Sequence, residues 1–164
     1  MFDKFGEFDS VEELNKAAEG LKNEGDEQSL IELAIENGLS KEDAEDYIDD
    51  ITDCLATLPM AAQGRLDVEE ADSNIKNPME KMALGVILLM LRGMCEDEDM
   101  QNAVLRKGKR AMDIFKGMKN EASKHKEGNI GVSCGTDRQL RMLIKAYYTE
   151  SKEEFEKKLS ELYK

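Results

Sequence analysis

Hydrophobic positions recur along this chain at spacings of three and four, the period of an amphipathic helix, and hardly anywhere at the spacing of two that a half-buried strand requires. Val11, Leu14, Ala17, Ala18 and Leu21 form a first stripe. Ser10 and Glu13 stand before it in capping-box spacing, and Gly25 supplies a stop. A second helix is expected over 26–37, burying Leu30, Leu33 and Ala34, with Gly38 as its left-handed stop. Leu39 and Ser40 open a third, with Leu39 stapled to Ala44. Its core face reads Ala44, Tyr47, Ile48, Ile51 and Leu55, and Pro59 closes the region.

Residues 60–77 read as a connecting segment with a short helix near Leu66–Ala71. Asn77 then caps a helix that has Pro78 in its first position and Glu80 completing a capping box. That helix, 78–95, is apolar nearly all round, the pattern of a central helix covered by neighbours. A fifth helix follows the acidic run Glu96–Asp99, with Val104, Met112, Phe115 and Met118 inward. A glycine-punctuated loop spans 127–135, where 130–132 suggest a short strand. Thr136 or Asp137 caps a helix carrying Leu140, Leu143, Ile144 and Tyr147. Ser151 and Glu154 cap the last one, with Phe155, Leu159 and Leu162 inward. Phe2, Phe5 and Phe8 are expected to anchor the N-terminal residues onto the body.

The fold class is therefore all-α: a compact bundle of six or seven helices around 78–95. It is expected to form one domain over 1–164, with an acidic three-helix part at 1–58, the segment 60–77, and a C-terminal part at 78–164. Composition agrees, with no Trp, two Pro and ten Met, a good helix former. Cys54, Cys95 and Cys134 are odd in number and form no Cys-x-x-Cys pair, as in a reducing compartment. No leader pattern opens the chain. Its longest apolar run, Met82 to Leu91, spans about 15 Å as helix, half a bilayer core. A cytoplasmic protein without a membrane span is the expectation.

Charge sharpens this picture. Residues 1–105 hold 27 Asp and Glu against 8 Lys and Arg, and residues 106–164 hold 9 against 15. The chain's net −13 is thus −19 in front and +6 behind. Such asymmetry points to charge-selective contacts, within the molecule or with a partner. Residues 34–48 have helix-turn-helix spacing, but the second helix carries Glu42, Asp43, Glu45 and Asp46, which phosphates would repel. Asp46, Asp49, Asp50 and Asp53 lie beyond the first turn, where the helix dipole does not favour them. As helical i,i+4 pairs they repel one another by roughly 0.2–0.5 kcal/mol each. Two readings stand: a solvated acidic face, or a ridge of Glu42, Glu45, Asp46, Asp49, Asp50 and Asp53 that imitates a phosphate backbone. Its basic complement would be Arg106, Lys107, Lys109 and Arg110, or the nucleic-acid groove of another protein.

The basic stretch 106–126 holds eight Lys and Arg, among them Arg106, Lys107, Lys109, Arg110, Lys116 and Lys119. It could touch DNA or RNA phosphates, or neutralise the acidic front part. Base stacking has little support, with Phe115 the one aromatic there.

Catalytic patterns are absent. Gly131-Val132-Ser133-Cys134-Gly135 matches the nucleophile-elbow string, but no His follows it and no parallel sheet is expected around it. His125 is the sole histidine, and its pairing with Cys134 as base and nucleophile has no support beyond nearness in sequence. Gly128, Gly131 and Gly135 fit neither phosphate-binding glycine pattern. Glu96–Asp99 lacks the spacing of a calcium loop, and one His with scattered Cys argues against zinc. No enzymatic activity, cofactor or metal is expected.

Three stretches, MFDKFGEFDSVEELNKAAEG, ENGLSKEDAEDYIDDITD and CEDEDMQNAVLRKGK, resemble small proteins carried by conjugative and phage-like elements of Gram-positive gut bacteria. The tail MLIKAYYTES is similar to PcfK-like conjugation accessory proteins. The resemblance implies an accessory role on a mobile genetic element. Small acidic proteins of such elements include anti-CRISPRs that block Cas nucleases. The function this implies is a non-enzymatic inhibitor of a Cas9-type nuclease with its guide RNA, acting through the acidic ridge. A conjugation accessory scaffold and a nucleic-acid binder through 106–126 are the alternatives.

Overall fold

The computed structural model describes residues 2–72, 74–125 and 135–163. Among them the chain is all-helical, with nine helices and no strand. They are α1 (Val11–Glu24), α2 (Glu27–Glu36), α3 (Lys41–Ile48), α4 (Leu58–Glu70), α5 (Pro78–Met94), α6 (Glu98–Leu105), α7 (Ala111–Lys124), α8 (Asp137–Thr149) and α9 (Lys152–Glu161). The strand expected at 130–132, the glycine loop as far as residue 134, and Cys134 lie outside the described residues. The chain divides into two compact units. One comprises 1–72 with 95–108; the other comprises 73–94 with 109–164. The expected boundary in chain order thus gives way to a discontinuous one, because 95–108 return to the first unit.

In the first unit α1 packs on α2, α2 on α3, and α4 on α6. The helix starts follow from local chemistry. Ser10, Asp26 and Ser40 each accept a bond from a backbone N–H in the first turn that follows. At Ser40 the capping box is complete, with Asp43 returning to the Ser40 N–H at 2.8 Å. At Ser10 it is shifted by one residue, since Glu13 accepts from the Asp9 N–H at 3.0 Å. Leu14, Ala18, Leu30, Leu33, Ala34, Ala44, Leu55 and Leu105 share one core, with Phe5 and Phe8 packed on it. Each such leucine contributes about 1.5–3 kcal/mol by leaving water.

Three expectations for this unit change. Pro59 opens α4 rather than closing a region, because a proline in the first turn lacks only an N–H that has no helical partner there. Residues 58–70 are a full helix instead of a connector, and its buried side carries Gly64, Arg65 and Glu69 with Ala61, Ala62 and Leu66. A buried face so mixed in character gives no apolar stripe to read. Helix α3 stops at Ile48, and Ile51 is 68% exposed instead of buried.

Arg65 ties this unit together. It is 3% exposed and pairs with Glu7. It also donates to the Phe8 carbonyl at 3.0 Å and the Leu105 carbonyl at 3.3 Å. Its guanidinium lies 4.5 Å from the centroid of the Phe2 ring. One side chain of α4 thereby fastens the N-terminal segment and the end of α6.

In the second unit α5 packs on α7 and α8, and α9 packs on α7 and α8. Leu84, Ile87, Leu88 and Leu91 of α5 are buried, as are Ile114, Leu143, Ile144 and Tyr148. Tyr147 meets Tyr148 and Phe155 edge-on, with ring centroids 5.1 and 5.3 Å apart. Asn77 caps α5 through the Met79 N–H at 2.9 Å, while Glu80 reaches Lys119 instead of completing a box. The expected central position of α5 is corrected. Its opposite face is open, with Met79 70%, Met82 67%, Val86 44% and Leu89 71% exposed. The expected fifth helix is two helices, α6 and α7, separated at 106–110 where Gly108 takes φ 75°. This split, with the full length of α4, raises the helix number above six or seven.

Candidate functional site

The acidic ridge is built on the end of α3. Here Asp49 caps the helix, Asp50 adopts a left-handed φ of 58°, and Ile51 donates its N–H back to the Asp46 carbonyl at 2.8 Å. The Asp50 N–H reaches the Tyr47 carbonyl at 3.4 Å. This is a Schellman ending with Asp where glycine is usual, and Asp tolerates that backbone better than most residues. The turn throws Ile51 outward. Asp46/Asp50 and Asp49/Asp53 are therefore not stacked along one helix face, as their spacing had suggested.

Helix α1 holds this turn from beneath. Asn15 clamps Ala56 with two bonds, donating to its carbonyl at 2.8 Å and accepting from its N–H at 3.0 Å. Lys22 donates to the Tyr47 carbonyl, pairs with Asp50 at 2.6 Å and lies 4.3 Å from the centroid of the Tyr47 ring. Beside the turn lies a shallow cleft of about 460 Å³, with Glu12, Glu19, Tyr47 and Asp53 among its lining residues.

The six ridge carboxylates differ in their engagement. Glu45 pairs with Lys41 at 2.6 Å, which raises the Lys41 pKa, and Asp50 pairs with Lys22. Glu42, Asp46, Asp49 and Asp53 are exposed, and no side chain among the described residues pairs with them. Of the four basic residues considered as an internal complement, Lys107, Lys109 and Arg110 make contacts elsewhere. Lys107 bonds through its N–H to Asp9 at 2.8 Å and through Nζ to Glu13 at 3.1 Å. The Asp9 N–H, followed by Lys107, holds the Glu13 carboxyl below its ordinary range. Lys109 donates to the Tyr147 carbonyl at 2.6 Å, and Arg110 donates through its N–H to the Tyr147 hydroxyl at 3.0 Å.

Most of the stretch 106–126 is similarly engaged. Lys116 pairs with Asp113 at 2.9 Å, Lys119 with Glu80 at 3.3 Å and Lys124 with Glu121 at 2.6 Å. Glu121 is buried, and Lys124 and then Ser160 keep its carboxyl below the usual glutamate range. Arg106 is exposed at the end of α6. His125 contacts Glu121 at 3.4 Å and stacks on Tyr163, a structural setting.

A basic cluster that the sequence reading passed over lies on α8. Arg138, Arg141 and Lys145 follow one face at i, i+3 and i+7, all exposed. They line a cleft of about 290 Å³ together with Met94, Met142 and Lys158. Glu150 engages Lys158 at 2.5 Å, whereas no carboxylate among the described residues pairs with the other three. The spacing is visible in the sequence, but the denser basic run at 106–126 precedes it and dominates the charge pattern.

Among the described residues, no group of three or more His, Cys, Asp and Glu is placed to hold a metal ion, and no helix is long and apolar enough to cross a membrane. Neither Cys54 nor Cys95 is joined in a disulfide. Compared with protein-family models, curated proteins and solved structures, the chain gives no match.

Proposed function

We propose that this chain is a non-catalytic binding protein whose acidic turn after α3 engages the basic nucleic-acid groove of another protein and blocks it. The observation that carries the reading is the set of four uncompensated carboxylates, Glu42 and Asp46 on α3 and Asp49 and Asp53 after it, with an exposed apolar tip at Ile51. Uncompensated charge on an ordered turn is available to a partner without first breaking internal pairs. Lys22 and Asn15 hold the turn, so binding costs little ordering entropy. The target chemistry is a positively charged channel that holds a nucleic-acid duplex by its backbone. The resemblance to mobile-element proteins makes a guide-loaded Cas9-type nuclease the specific target, and the chain an anti-CRISPR. The location of such a target is cytoplasmic.

The test is capture of a guide-loaded Cas9-type nuclease by the tagged chain, with free DNA and free guide RNA as parallel baits at low and high salt. Capture should weaken steeply with salt, because exposed charges are screened beyond about 3 Å at 1 M against about 10 Å at 0.1 M. It should be lost in the triple variant Asp46→Asn, Asp49→Asn, Asp53→Asn. Undiminished capture by that variant overturns the proposal, as does capture of nucleic acid with no capture of the nuclease. Binding that ignores salt would favour an accessory scaffold role on the same element.

A further inference from the structure

The open face of α5 and the basic cluster of α8 belong to the same unit, and Met94, the last residue of α5, lines the cleft of that cluster. Met79, Met82, Val86 and Leu89 repeat at spacings of three and four, so they form one stripe along α5. From Met79 to Met94 the helix rises about 22 Å, some four turns. At its far end stand Arg138, Arg141 and Lys145, without a carboxylate partner among the described residues, around an apolar floor. Four large apolar side chains exposed along one helix face, with unpaired cations at the cleft by the helix's end, are what a monomer rarely leaves open without a use. Methionine suits it, since its unbranched side chain repacks against different partners.

We infer that this surface docks an amphipathic, acidic helix of a partner protein. The partner's apolar positions would lie along Met79, Met82, Val86 and Leu89, and its carboxylates would meet Arg138, Arg141 and Lys145. The charge is complementary at one end, and the stripe matches the i, i+3, i+4, i+7 anchors by which a helix is held in a groove. A nucleic acid fits less well: none of the residues lining the cleft is aromatic, so bases have nothing to stack on, and the phosphate backbone has no use for four exposed apolar side chains. The residues of this surface belong to the second unit, and those of the acidic turn to the first.

The experiment uses the full chain and a fluorescein-labelled helical peptide of about 16 residues, the span from Met79 to Met94, with Leu at the anchor positions and Glu elsewhere. The parallel probes are the same peptide with Lys in place of Glu, and a single-stranded DNA. Fluorescence anisotropy should show binding of the Glu peptide alone. Affinity should fall by about tenfold or more both in Arg138→Glu/Arg141→Glu and in Met82→Gln/Leu89→Gln, with the triple Asn variant of the acidic turn unchanged. All four substituted positions are exposed, and an unchanged urea midpoint verifies each fold. No binding of the Glu peptide overturns the inference. Equal binding of the Lys peptide removes its electrostatic half and overturns it too. DNA binding that Met82→Gln/Leu89→Gln leaves intact would replace it with a phosphate site.

Discussion

Gly38 and Gly64 meet backbone to backbone in the first unit. A Cβ added to either would fall on the other segment: from Gly38 onto the Gly64 carbonyl group, and from Gly64 onto the Asn37 carbonyl oxygen. Gly38 also has φ 74°, left-handed backbone, whereas Gly64 is helical and is glycine only for the approach. Gly64→Ala should therefore lower stability by about 1–3 kcal/mol through overpacking, despite alanine's better helix propensity. Gly38→Ala should cost a further 1–2 kcal/mol or so for its backbone. Urea midpoints of the two variants test the order, with Gly38→Ala the lower.

The Arg65 side chain is buried among Glu7, the Phe8 carbonyl and the Leu105 carbonyl. Glu7→Gln leaves that cation without its counter-charge, so it should cost about 3 kcal/mol. Adding Arg65→Met to it should recover part of that loss, since the stranded charge is gone. A double variant less stable than Glu7→Gln alone, by calorimetry, would show that the arginine's carbonyl bonds outweigh its charge.

Acid should loosen the fold through identifiable carboxylates. Glu13, Glu32 and Glu121 all sit below the ordinary glutamate value of 4.5, and Asp26 sits below 3.8. The leading causes are the Asp9 N–H for Glu13, Lys4 for Glu32, Lys124 for Glu121 and Ser29 for Asp26. A lowered carboxyl binds its proton less readily folded than unfolded, so stability rises with pH across the window. The contribution is whole above about pH 5 and is lost as pH falls through the folded values. Denaturant midpoints between pH 7 and pH 3.5 should stay level, then drop. Glu121→Gln should drop less over the same interval.

Neighbouring leucines of α5 should behave oppositely. Leu88 is buried and Leu89 is exposed. Leu88→Ala should cost about 2–5 kcal/mol, and Leu89→Gln should change stability by about 0.5 kcal/mol or less. Sensitivity at Leu89 in the isolated chain would mean that the stripe is already covered.

Capping chemistry was the most legible part of this sequence. Ser40, Asn77 and Ser151 cap helices where they were expected, Thr136 is the cap of the two residues offered, Gly25 ends α1 as expected, and Gly38 takes the left-handed backbone assigned to it. These signals are local, so a single chain carries them in full. Helix α4 was not legible, because its burial depends on distant partners. Arg65 is acceptable inside only because Glu7 and two carbonyls meet it, and Gly64 only because Gly38 lies across it. The end of α3 was misread for a related reason. Ile48, Ile51 and Leu55 keep helical spacing, yet Asp50 turns the backbone while Asn15 and Lys22 on α1 hold it. The acidic residues themselves were visible at once; which of them stay unneutralised depends on the ion pairs of the folded chain.

The discontinuity of the first unit sets an order of events during synthesis. Helix α5 leaves the ribosome before α6, but α6 completes the first unit while α5 waits for α7 and α8. Translation adds roughly 5–20 residues per second, so α8 is finished roughly two to eight seconds after residue 108. Until α7 emerges a nascent chain carries a completed acidic unit and an α5 without its partners, and the cover over Leu84, Leu88 and Leu91 is complete only when α8 follows. Slow translation across 109–149 would lengthen the exposure, making the yield of this protein depend on elongation speed and on holding chaperones.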